Sequence, residues 1–72
     1  MKLSYDRTTD SLYIDLVDRP SAGSDELADG IVLDFDAAGA LVGIDIDHAS
    51  SRVDLKHLVL DKFPATVETE GE

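Results

Sequence analysis

MKLSYDRTTDSLYIDL, residues 1–16, decides the fold. Met1, Leu3 and Tyr5 alternate with Lys2 and Ser4, and Leu12, Ile14 and Leu16 alternate with Tyr13 and Asp15. A period of two sends successive side chains to opposite faces and marks two strands. Between them, Asp6-Arg7-Thr8-Thr9-Asp10 is rich in short polar side chains that bond nearby backbone, which suits a turn. The register follows from the pattern. Setting Tyr5 against Leu12, Leu3 against Ile14 and Met1 against Leu16 joins apolar to apolar on one face. The same register sets Lys2 across from Asp15 on the other, an attractive pair. A slip of one residue would turn a whole strand to the wrong face.

A second hairpin repeats the design. Ile31, Leu33 and Phe35 alternate with Val32 and Asp34, then Asp36-Ala37-Ala38-Gly39 turns the chain. Gly39 is the residue able to take the left-handed conformation such a loop needs. Ala40, Val42, Ile44 and Ile46 alternate with Leu41, Gly43, Asp45 and Asp47. The expected register opposes Leu33 to Val42 and Ile31 to Ile44, because a one-residue shift would bury Asp45 against Ile31. Asp18-Arg19-Pro20-Ser21-Ala22-Gly23-Ser24-Asp25 reads as a loop, and Glu26-Leu27-Ala28 as a brief strand before the Asp29-Gly30 turn.

After Ile46 the period changes. Leu55, Leu58, Val59 and Phe63 fit a helical stripe, with Asp54 as its cap and Pro64 as its stop. The expected fold is α+β: an antiparallel β-meander of four or five strands with one C-terminal helix, the helix covering the apolar sheet face. A single domain over residues 1–64 is followed by a frayed acidic tail, residues 65–72.

A chain of 72 residues has room for one domain and buries only about 60% of the surface its unfolded chain exposes. Self-association is one common remedy for that shortfall. With 43% hydrophobic residues the chain is globular rather than disordered. It has no cysteine, so neither a disulfide nor a thiolate metal site can form, which fits a reducing cytoplasm. Its 16 acidic and 6 basic residues give a formal charge of −10. That charge repels nucleic acid and anionic membranes, and favours basic protein partners or divalent cations. No apolar run approaches the ~20 residues of a membrane helix, and the N-terminus lacks the apolar core of a secretory signal.

Met1-Lys2-Leu3-Ser4-Tyr5-Asp6, Asp10-Ser11-Leu12-Tyr13-Ile14, Gly30-Ile31-Val32-Leu33-Asp34-Phe35-Asp36, Gly39 and Leu41-Val42-Gly43-Ile44-Asp45-Ile46, closed by Ala49-Ser50, together resemble the bacterial domain-of-unknown-function family 2283. The resemblance covers about residues 1–53. It implies a small β-rich fold without an accepted activity, cofactor or catalytic residue, and an antitoxin-like binding role. It also implies an extended segment over Ala22–Leu27, a fifth strand that Gly23 weakens. The extension from Asp54 to Glu72 lies beyond it.

Several groups invite a chemical reading. Counted from Asp34, a calcium loop would use Asp34, Asp36 and Gly39, but Ala38 stands at a ligand position and Asp45 replaces the bidentate glutamate. A hairpin turn explains the same residues. A divalent-cation or small-molecule site on Asp34, Asp36, Asp45 and Asp47 is the alternative to a binding role. His48 and His57 lack the spacing of a zinc pair and read as surface histidines. Ser50 and Ser51 follow His48 without the geometry a nucleophile needs, and read as the start of a helix. The face bearing Lys2, Asp15, Asp34, Asp36, Asp45 and Asp47 also carries Tyr13, Val17, Val32 and Leu41. Tyr13, Val32 and Leu41 are the candidate contact residues, since aromatic side chains are enriched at interfaces. The expected function is that of a non-enzymatic protein-binding module without a cofactor, either a homodimer or an acidic neutraliser of a basic partner.

Overall fold

The computed structural model describes residues 1–66 and 68. It contains β1 (Lys2–Asp6), β2 (Ser11–Asp15), β3 (Gly23–Ala28), β4 (Ile31–Phe35), β5 (Leu41–Ile46) and α1 (Ala49–Arg52). The strands form one antiparallel sheet in the order β1-β2-β5-β4-β3. The expected α+β class, with strands followed by a short helix, is therefore found. The hairpin β1–β2 and the meander β3–β4–β5 join where β2 pairs with β5.

The first hairpin has the expected register, with Leu3 opposite Ile14, Tyr5 opposite Leu12 and Lys2 opposite Asp15. In its turn the Thr8 amide donates to the Asp6 carboxylate (2.9 Å), and Asp10 takes a left-handed conformation with φ 55°. The fifth strand implied by the family resemblance is present as β3, an exposed edge whose Asp25 and Glu26 discourage pairing with other chains.

The second hairpin corrects the expected register. Leu33 faces Ile44, not Val42, and Ile31 faces Ile46, not Ile44. The cause lies in the loop. The Asp36 amide donates to the Ala40 carbonyl (2.8 Å) and Gly39, at φ 85°, closes a tight turn back to Asp36. Continued unbroken, that pairing would have set apolar residues against Gly43 and Asp45. A one-residue shift between Asp34 and Phe35 makes Val42 the extra residue and restores apolar-to-apolar pairing.

The helix is also corrected. It lies at Ala49–Arg52, and Asp54–Phe63 is not helical. Asp54 does accept the Lys56 amide (3.1 Å), but the turn is not continued, and Lys62 adopts φ 56°. So short a stripe needs a surface to dock on, since isolated helices below about 12–15 residues are marginal. Leu58 and Val59 instead remain 64% and 70% exposed. The expected acidic tail falls largely on residues 67 and 69–72, outside the described residues.

Because α1 is a single turn, it cannot cover the sheet as expected. Leu12, Val42 and Ala49 are the fully buried hydrophobic residues among those described. Ile14, Leu16, Ile31, Leu33, Phe35, Ile44 and Ile46 are half-buried, and Leu3 and Tyr5 are exposed. The helix serves instead to tie the first hairpin to the β3–β4–β5 meander. The Ala49 amide donates to the Asp10 carbonyl (2.9 Å), and the Arg52 guanidinium donates to the Asp29 carbonyl (2.7 Å). At the opposite end the β2–β3 connection is fastened by Leu16 N–H to Val42 O, Ala22 N–H to Phe35 O and the Arg19–Asp36 ion pair.

Candidate functional site

The register divides the sheet into an apolar and a polar face. Two cross-strand rows build the polar one. Lys2, Asp15, Gly43, Asp34 and Ser24 form the first, and Ser4, Tyr13, Asp45, Val32 and Glu26 the second. Tyr13 and Val32 therefore flank Asp45 from β2 and β4. Leu41 is set apart from them: the bulge pairs it with Phe35, in the series that includes Ile31 and Leu33.

Tyr13 crosses β5. Its hydroxyl donates to Asp34 Oδ2 on β4 (2.9 Å), and its ring passes so close over Gly43 that a Cβ there would overlap the phenol. Ser24 Oγ donates to the other Asp34 oxygen (2.6 Å) from β3. One carboxylate thus links three strands across the glycine gap. The hydrogen bond to Asp34, with desolvation and the nearby carboxylates, pushes the Tyr13 phenol up to about 12.

The aspartates considered for a cation have separate tasks. Asp36 accepts the Ala38 and Ala40 amides (3.0 and 2.9 Å) and pairs with Arg19 (3.1 Å). The Ala40 amide leads in holding its carboxyl below the ordinary range. Asp34 holds Tyr13 and Ser24. Asp45 accepts no side-chain hydrogen bond of this kind among the described residues. Burial chiefly, and then the charges of Asp47 and Asp34, push its carboxyl up. Among the described residues no three His, Asp or Glu side chains are grouped to hold a metal ion.

A second cluster escaped the sequence. Asp10 accepts the Tyr5 hydroxyl (2.7 Å), the Ser50 amide (3.1 Å) and the Ser50 hydroxyl (2.7 Å). Tyr5 foremost, then Ser50, holds the Asp10 carboxyl below its ordinary value. A carboxylate made more acidic is a poor base for activating Ser50, so the contact serves to anchor α1, as expected of a serine at a helix start. Ser51 likewise bonds locally, to the His48 carbonyl (2.9 Å). His48 precedes α1 in a left-handed conformation, and His57 is exposed. The signal available in the sequence was an aspartate at the end of a turn, a residue type that tolerates φ above zero. Its partner forty positions away could not be read from spacing.

Two open depressions accompany these features. One is lined by Arg19, Pro20, Ser21, Ala22 and Asp36–Ala38, the other by Met1, Lys2, Asp15, Val17 and Asp18. Neither includes Tyr13, Val32 or Leu41. No helix among the described residues is long and apolar enough to cross a membrane.

No curated protein and no solved structure matches the chain. A family model does match, over residues 2–50, which takes in all five strands and the start of α1. By that match the chain belongs to the family described as protein of unknown function (DUF2283).

Proposed function

We propose that the chain is a non-enzymatic protein-binding module whose polar sheet face receives a basic partner. The carrying observation is Asp45, central on that face, whose carboxyl is raised by burial and by the like charges of Asp47 and Asp34. A cation brought to this row relieves the repulsion, and a lysine or arginine side chain supplies one. Tyr13 and Val32 beside it offer apolar contact, the combination of aromatic and aliphatic surface with a charged rim that protein contacts use. The formal charge of −10 steers such a partner toward the chain. The aspartates that would otherwise suggest chemistry, Asp10, Asp34 and Asp36, are engaged in holding turns and strands.

The test is an NMR titration with a lysine- and arginine-rich peptide at low salt. Shifts are expected to concentrate on Tyr13, Val32 and Asp45, and Asp45→Asn with Glu26→Gln should weaken binding about tenfold or more. Shifts spread over Asp18, Asp29 and Asp61, or no binding, would refute the reading.

A further inference from the structure

The opposite face poses a separate question. Leu3 and Tyr5 of β1, Ile14 of β2, Ile44 and Ile46 of β5, and Ile31, Leu33 and Phe35 of β4 form one apolar surface around the buried Leu12. Among the described residues nothing the size of the sheet covers it, since α1 is one turn long and the segment after it leaves Leu58 and Val59 exposed. We infer that this face is closed by the same face of a second copy of the chain, giving a two-layer β-sandwich.

Charge selects the occupant. The chain carries −10, yet the eight residues that form this surface include no charged side chain. Asp25, opposite Leu33 on the β3 edge, stands at the rim. A basic partner would find no carboxylate on the surface itself. A second copy finds a matching apolar sheet, and stacking face to face points the aspartate-bearing polar faces away from each other. Packed sheets lie ~10 Å apart with their inner side chains interdigitated. The area fits a weak dimer. Four strands about 4.8 Å apart and about five residues long give roughly 300 Å² in flat projection. That is within the range of a large exposed apolar patch. Most of these side chains are already half-buried in the single chain, so two such faces bury less than the roughly 1,200 Å² of stable specific interfaces and fall among weak, transient contacts. A dimer of this size dissociates on dilution. It uses the face opposite the one proposed for a basic partner, so either idea can fail alone.

Neighbouring residues of β4 supply the test. Leu33 and Val32 are both half-buried and lie on opposite faces. In sedimentation equilibrium from about 10 μM to about 1 mM, the native chain should move from 7.8 kDa toward twice that mass. Leu33→Glu should weaken the dimer about tenfold or more, and Val32→Glu should leave it within about twofold. Leu3→Glu, at an exposed position on the edge strand, should also weaken it, which keeps the test decisive if Leu33→Glu fails to fold. Leu58→Glu should have no effect. A native chain that stays monomeric throughout would overturn the inference. So would a dimer lost in Val32→Glu but kept in Leu33→Glu and Leu3→Glu, or one lost in Leu58→Glu, which would make the Asp54–Phe63 segment the occupant.

Discussion

Gly43 and Tyr13 depend on each other. The phenol ring fills the space a side chain at position 43 would need, and reaches Asp34 only because that space is open. Gly43→Ala should destabilise the fold by about 1–3 kcal/mol, the range for overpacking. Combined with Tyr13→Ala, it should cost less than the two single changes together, as urea unfolding of the four proteins would show. Tyr13→Phe keeps the ring and loses the bond to Asp34, at about 1 kcal/mol. It should also change the alkaline limb of stability. The folded phenol titrates at about 12, above the ordinary value of 10.0. Its contribution is therefore complete below pH 10 and disappears as pH rises toward 12. Tyr5 is shifted the same way, so Tyr13→Phe should reduce that loss without abolishing it. Tyr13 was read from the sequence as a contact residue. Its role across Gly43 was not legible, because it depends on which residue of β5 lies beside it.

The hairpins show where pattern suffices and where it fails. β1 and β2 carry clean alternation on both sides of their turn, so matching apolar residues fixed the partners of Leu3 and Tyr5. The same rule fixed the face of each residue in β4 but not its partner in β5, because Gly39 and Asp36 close the loop in a register that the Val42 bulge must then correct. Gly39→Ala, at φ 85°, should cost about 1 kcal/mol in thermal unfolding, the penalty of a side chain in left-handed backbone. The stripe Leu55, Leu58, Val59 and Phe63 was legible as apolar but not as unpartnered, and without a docking surface it does not become a helix. What holds the start of α1 is Asp10. Its carboxyl is held low, so its contribution is present at neutral pH and lost as pH falls through its folded pKa. Asp10→Asn should speed amide exchange at Ser50 and flatten the acid limb of unfolding. Unchanged exchange would show that the cap is not needed.

Across the chain as a whole, charge and apolar surface are segregated. The composition showed a large negative charge, and alternation assigned much of it to one face, including Asp15, Asp34 and Asp45 beside Tyr13 and Val32. It could not show that among the described residues nothing covers the other face. That required knowing that the apolar residues after Ile46 do not return to the sheet as a helix. The two faces should respond to salt with opposite sign. Binding of a basic peptide relies on unscreened attraction and weakens as salt rises. Association through the apolar face brings two chains of charge −10 together, and strengthens as salt screens their repulsion. Because a partner that binds only the folded chain stabilises it by mass action, the melting temperature should also rise with protein concentration. The most direct measurement is sedimentation equilibrium of the native chain at low and at high salt. A dimer fraction that rises with salt is expected. A chain that remains monomeric at both, or a dimer that dissociates as salt is added, would contradict the uncovered apolar face as the surface through which the chain pairs.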